Sequence, residues 1–189
     1  MILFVNACVR EESRTKHLAQ CLLKNLDGEI KEINLEKENI LPLNRETLEL
    51  RTKLGEARNF ENIIFNYAKD FAKADIIVIA APFWDLSFPA SLKSYIEAIN
   101  VVGITFDYSS DGAPYGLCNA KKLYYITTSG GKIYNDEFGF GYIKSLCNSF
   151  YGIKEVCCIK AENLDIAGSD VENILKDAEE RILTKQFCV

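Results

Sequence analysis

The sequence predicts an α/β fold in which helices cover both faces of a parallel sheet, and three observations lead there. Short apolar runs alternate with stretches whose apolar residues recur at helical spacing, in the order βαβαβαβαβα. One run, "DIIVIAAP", is apolar throughout, as a strand in the middle of a parallel sheet must be. Just before it, Phe60, Ile63, Ile64, Tyr67, Ala68, Phe71 and Ala72 form a stripe with a period of 3.6 residues, the mark of an amphipathic helix. Strands joined through helices pair in parallel by right-handed crossovers, which distribute the helices over both faces.

In chain order, residues 2–6 read as a buried strand. Leu18, Cys21, Leu22 and Leu26 then share one helical face, with Gly28 closing the helix. "EIKEINL" is a short second strand of imperfect alternation. Residues 36–58 are polar and charged, a connection with a short helix near "RETLELRTKL". After the striped helix and the apolar strand, "FPASLKSYIEAI" starts a helix near Pro89 with Leu92, Tyr95, Ile96 and Ile99 inside. "GITFDYSSDGAPYG" alternates between turn-rich ends and predicts a hairpin. "KKLYYITTSGG" is a strand ending in a glycine pair, a helix follows from Ile143 to Phe150, and "IKEVCCIKA" is the last strand. Val171, Ile174, Leu175, Ala178 and Ile182 line the closing helix.

Composition narrows the function. At 189 residues and 48% hydrophobic content the chain has enough apolar side chains for one sizeable core, so 1–189 is expected to be a single domain. A net charge of −5 argues against a nucleic-acid surface. The longest apolar runs are far too short to cross a bilayer, and no signal-peptide pattern opens the chain, so no membrane partner and a cytoplasmic setting are expected. Seven cysteines, none in a CxxC pair, predict free thiols in a reducing compartment. Cys157 and Cys158 are neighbours on a strand and point to opposite faces, which suits packing rather than joint metal binding. His17 has no zinc constellation around it, and no metal site is expected.

Ligands of such folds bind beyond the carboxyl ends of the strands. Three strand ends carry unusual chemistry. "NACVREESRT" has no glycine, so it is neither a dinucleotide fingerprint nor a Walker A loop. It nevertheless places Arg10, Ser13, Arg14 and Thr15 at a helix start, where unpaired N–H groups and the helix dipole attract an anion such as a phosphate. "APFWDLSFPAS" puts Pro82, Phe83, Trp84, Asp85 and Leu86 after the central strand, two large aromatics suited to a flat ring. "TTSGG" adds the hydroxyls of Thr128 and Ser129 and lets backbone at Gly130 and Gly131 approach a ligand. A phosphate site, an aromatic wall and a glycine-rich edge together describe a site for flavin mononucleotide (FMN).

These stretches resemble the flavodoxin-like NAD(P)H oxidoreductases, the group of FMN-dependent azoreductases and quinone reductases. "APFWDLSFPASLKSYIEAINVVGITFDY" is similar to that family's Pro-aromatic-aromatic-Asn stretch, Leu-Lys-x-Tyr helix and Gly-x-Thr-Phe hairpin, with Asp85 in place of the usual Asn. "SRT" and "TTSGG" resemble its phosphate loop and its Ser/Thr-x-Gly-Gly loop. The resemblance runs from residue 1 to about 160. It implies a flavodoxin-like three-layer sandwich whose five-stranded parallel sheet has the order 2-1-3-4-5. It further implies FMN as cofactor, NADH or NADPH as donor, and a quinone or azo compound as acceptor. The reaction it implies is a ping-pong cycle through flavin N5, with no catalytic side chain. A homodimer with the site completed at its interface is also implied. Two alternatives remain. "CVREESRT" matches the Cys-x5-Arg-Ser/Thr loop of low-molecular-weight phosphatases and arsenate reductases, with Cys8 as nucleophile and Arg14 as clamp. A non-catalytic FMN-binding electron carrier is the other.

Overall fold

Strand β1 (Ile2–Asn6) is buried at every position, and β3 (Ile76–Ala80) at all but its first, which places both inside the sheet. The computed structural model describes residues 1–186. With β2 (Ile30–Asn34), β6 (Lys122–Thr128) and β7 (Glu155–Ala161), they form a sheet of order β2-β1-β3-β6-β7, parallel throughout. Counting only these five strands, the order is the 2-1-3-4-5 that the resemblance implies. β2 is an edge strand with its first three residues exposed, which explains its weak alternation.

Side chains of β1 part by the two-residue period of a strand. Ile2 and Phe4 join Leu18, Leu22, Ala178 and Ile182 under α1 (Arg14–Leu23) and α6 (Val171–Thr184). Leu3 and Val5 join Phe71, Tyr95, Ile99 and Ile143 under α3 (Asn66–Lys73), α4 (Ala90–Ile99) and α5 (Tyr142–Leu146). Burial of each such large side chain stabilises the fold by about 1.5–3 kcal/mol before entropy is charged against it. The pair β4 (Phe106–Tyr108) and β5 (Pro114–Gly116) forms the predicted antiparallel hairpin.

Several boundaries differ from the sequence reading. The striped helix starts later: Asn62 accepts a bond from the Ile64 N–H at 3.0 Å and caps a 3-10 turn over Ile63–Phe65. An Asn side chain competes with helical backbone pairing, and a cap is where it is favoured. Phe60 therefore lies outside the helix and packs edge-on to Phe65, 5.5 Å between centroids, while Ile63 is 81% exposed. α1 ends at Leu23, and Gly28, at φ +139°, serves the turn into β2 instead. The predicted 143–150 helix is α5 flanked by two π segments, Glu137–Gly141 and Cys147–Tyr151, and stopped by left-handed Gly152.

Within residues 36–58, α2 (Arg45–Glu56) has a capping box between Asn44 and Thr47 but buries none of its residues. Arg51 fastens it, donating to the carbonyls of Glu97 at 2.9 Å and Asn100 at 2.8 Å at the end of α4. Of the six described cysteines, Cys8, Cys21, Cys118, Cys147 and Cys158 are free; Cys157 is disulfide-bonded, which corrects the expectation of thiols throughout. Cys157 and Cys158 do face opposite sides of the sheet. His17 pairs with Glu179 at 2.6 Å on the surface. Among the described residues, no helix is long and apolar enough to cross a membrane.

Candidate functional site

The first loop takes its shape from an asparagine. Asn6 is fully buried; its Oδ1 accepts the Cys8 N–H at 3.0 Å and its Nδ2 donates to Glu32 at 2.9 Å. This Asx turn bends the chain off the sheet, so the loop needs no glycine. Ser13 is the N-cap of α1, with extended backbone and its Oγ accepting the Lys16 N–H at 3.3 Å. The cap takes up the third amide of the helix. The amides of Arg14 and Thr15 come earlier in the first turn, where no intrahelical acceptor exists, and add to the positive end of the dipole.

The second loop is a tight turn. Trp84 and Ser87 exchange backbone bonds of 3.1 and 2.7 Å, and Asp85 and Leu86 between them have φ of 50° and 65°. Two positive φ values at the centre of a two-residue hairpin mark a type I′ turn. Asp tolerates that conformation; Leu86 holds it at a cost of about 1–3 kcal/mol. Two bonds anchor the turn: Ser87 Oγ donates to the Phe138 carbonyl at 2.6 Å, and the Phe83 N–H donates to the Thr128 carbonyl at 3.0 Å. Trp84 is left 41% exposed.

The third loop continues β6 and lies along the segment that follows β7. The Ser129 N–H donates to the Ala161 carbonyl, the Leu164 N–H to the Ser129 carbonyl and the Asp165 N–H to the Gly130 carbonyl, at 2.9–3.1 Å. Thr128 Oγ1 lies 2.7 Å from Thr15 Oγ1, a buried bond that ties this loop to the first helix.

The three loops converge on one cleft of about 390 Å³. Arg10, Ser13, Arg14 and Thr15 line it from the first loop, Pro82, Phe83 and Trp84 from the second, and Thr128, Ser129 and Gly130 from the third. Asp85, Leu86 and Gly131 are not in the lining: the first two stand at the tip of the hairpin turn, and Gly131 lies one residue past the last lining residue of its loop. The sequence reading missed Val9, Glu12, Leu164 and Asp165. The last two follow the end of β7, and the rule that ligands gather beyond strand ends applied to that end as well.

Cys8 stands apart. It is 4% exposed and absent from the lining, with its thiol 3.7 Å from the Ala80 carbonyl. Burial pushes the thiol up from its ordinary range, more than the Ser13 hydrogen bond and Lys16 pull it down. A nucleophilic cysteine requires the opposite shift, so the geometry disfavours the phosphatase alternative.

A five-stranded parallel sheet of this order, with helices on both faces, defines the flavodoxin class. A family model described as flavodoxin-like fold matches residues 1–185, and the chain belongs to that family. It is 39% identical to FMN-dependent NADH:quinone oxidoreductase 2 of Clostridium acetobutylicum over 194 residues, covering 95% of this chain and 94% of the relative. It is 36% identical to FMN-dependent NADH:quinone oxidoreductase of Clostridium perfringens, covering 98% of each. A solved azoreductase superposes with a TM-score of 0.83 at 25% identity over 97% of both chains. An FMN-dependent NADH-azoreductase of Bacillus anthracis, solved in complex with FMN, matches at a TM-score of 0.78 and 22% identity over 97% of this chain and 98% of its own, a likeness of fold.

Proposed function

We propose that the chain binds FMN and uses NADH to reduce quinones or azo compounds. One observation carries the proposal: a phosphate-type anion site, two large aromatics and a glycine edge line a single cleft. The residues fit the cofactor. The first-turn amides of α1, the Thr15–Thr128 hydroxyls and the Arg10 and Arg14 guanidiniums suit a phosphate. Phe83 and Trp84 suit a flat ring, and about 390 Å³ lies within the range of cofactor pockets. When bound, the flavin supplies the redox chemistry, hydride uptake at N5 and onward delivery of two electrons. The chain's own residues bind, orient and exclude water, and no side chain need act as nucleophile. Trp84, 41% exposed, would leave the bound ring open to one partner at a time, so donor and acceptor would exclude each other. A single site shared in this way would give a ping-pong cycle.

A homodimer belongs to the same proposal. Val102, Tyr108, Tyr115 and Leu117, on and beside the β4–β5 hairpin, remain 38–48% exposed, and such apolar surface is suited to a second copy. Sedimentation at micromolar concentration reports this part directly. For the main reading, protein reconstituted with FMN should be yellow and should bleach on anaerobic addition of NADH before any acceptor is present. Double-reciprocal plots should then be parallel. A protein that takes up no FMN, but hydrolyses p-nitrophenyl phosphate in a manner abolished by Cys8→Ser, reverses the reading.

A further inference from the structure

The lining of the cleft holds two guanidiniums, Arg10 and Arg14, and two carboxylates, Glu12 and Asp165. Carboxylates are poor neighbours for a phosphate, so their placement needs a reason. Two hydrogen bonds hold Asp165 against Gly130 and Arg14. Its N–H donates to the Gly130 carbonyl at 2.9 Å. Its Oδ1 accepts from Arg14 Nη1 at 2.8 Å. Its carboxylate lies over Gly130 so closely that a Cβ there would be 2.5 Å from Oδ2. Gly130 is therefore a glycine that makes room for Asp165. Arg14 Nη1 also donates to the Leu164 carbonyl at 3.3 Å.

The pair is 42% and 67% exposed, and an ion pair that wet adds little stability. Its effect is on geometry. Both contacts fall on one guanidinium nitrogen, while the group has five N–H donors in a rigid fork. Nη2 and Nε stay available, and Arg14 begins the helix whose N-terminus makes the anion site.

We propose that Asp165 is a positioning residue for the anion site: it holds the Arg14 guanidinium across the cleft and so sets the preference for the phosphorylated flavin over its dephosphorylated form. This rests on the flavin reading above and adds a residue outside the three loops that suggested it. The carboxylate acts only through Arg14 and only on a ligand that carries a phosphate.

The test is binding of FMN and of riboflavin, measured by quenching of flavin fluorescence, in the parent, Asp165→Asn, Arg14→Ala and the double variant. Asn keeps the shape over Gly130, and far-ultraviolet circular dichroism checks that the fold is intact. Asp165→Asn should weaken FMN roughly tenfold, the size of one loosened charge-assisted hydrogen bond, and leave riboflavin within about twofold. In the Arg14→Ala background it should have no further effect. Equal losses for both flavins make Asp165 merely structural and overturn the proposal. Tighter FMN binding by Asp165→Asn overturns it too, by showing that the carboxylate opposes the phosphate. If the parent binds neither flavin, it is the underlying functional reading that has failed, and this proposal falls with it.

Discussion

Removing one hydroxyl from the buried Thr15–Thr128 pair tests the coupling of helix α1 to strand β6. Thr15 is 1% exposed and Thr128 is 9% exposed, with their Oγ1 atoms 2.7 Å apart. Two hydroxyls bring two protons and four lone pairs, and their mutual bond uses one proton. Thr15→Val keeps the shape and leaves the Thr128 hydroxyl without this partner. Orphaning a buried polar group costs about 1–3 kcal/mol, which for a domain of this size lowers the melting temperature by roughly 2–12 °C. Thr15→Val with Thr128→Val replaces both partners by apolar groups of the same shape, and should recover most of the loss. The assay is thermal melting followed by circular dichroism for the parent, both single variants and the double variant. A single variant that melts with the parent shows that the pair carries no weight. A double variant that melts as low as the sum of the singles shows that the damage comes from packing, and the reasoning about unpaired hydroxyls fails.

Gly116→Ala should be among the most damaging small substitutions, because its Cβ would lie 2.2 Å from the backbone carbon of Tyr151 and 2.3 Å from the Gly152 nitrogen. The hairpin must lift off, separating the stacked rings of Phe106 and Phe150. An overpacking cost of about 1–3 kcal/mol or more is expected, read as a lower urea midpoint; an unchanged midpoint refutes the contact. Stability should also fall at alkaline pH. Burial holds the thiols of Cys118, Cys147 and Cys158 at about 12 against an ordinary 9.0, and burial followed by Glu38 holds Tyr67 at about 12. Groups raised in the folded state contribute stability that is complete below about pH 9 and lost as pH rises through 12. Urea midpoints should therefore be flat to about pH 9 and fall beyond it, and midpoints unchanged at pH 11 would contradict the burial of these groups.

The sheet was legible because its signals are local and strong. "DIIVIAAP" is apolar on both faces because β3 has a strand on either side and a helical layer above and below. The order of strands is not local, since no periodicity states which strand lies beside β1; the family resemblance supplied it. Helix boundaries were harder to read. Phe60 keeps the 3.6-residue period of the helix that follows, yet helical structure starts only after Asn62, since one side-chain bond to the Ile64 amide outweighs a pattern of apolar residues. Nor did α2 have a strong stripe to detect, because none of its residues is fully buried and it is held by Arg51 and by the partial packing of Leu54 on the core.

The site was legible in part for a related reason. Residues that announce themselves by type, such as an arginine at a helix start or paired aromatics after a strand, do line the cleft. Residues whose role depends on direction could not be judged from type. Asp85 follows Trp84 immediately, but a type I′ turn reverses the chain there, and the residues at its tip are not among those lining the cleft. The turn also gives a physical reason for the residue type: the first central position needs positive φ, which Asn and Asp adopt at little cost. An Asp in place of Asn at position 85 therefore preserves the backbone whatever its side chain does. Asp165 is the reverse case. Nothing in "NLDIAG" announces a functional carboxylate, because its partners are 35 and 151 residues away, at Gly130 and Arg14. Only the parallel pairing of β1 with β3, β3 with β6 and β6 with β7 brings those three positions to one edge of the sheet. Here the residue that orients the binding group stands on the loop of a strand three places across the sheet, at a sequence distance that no motif spans.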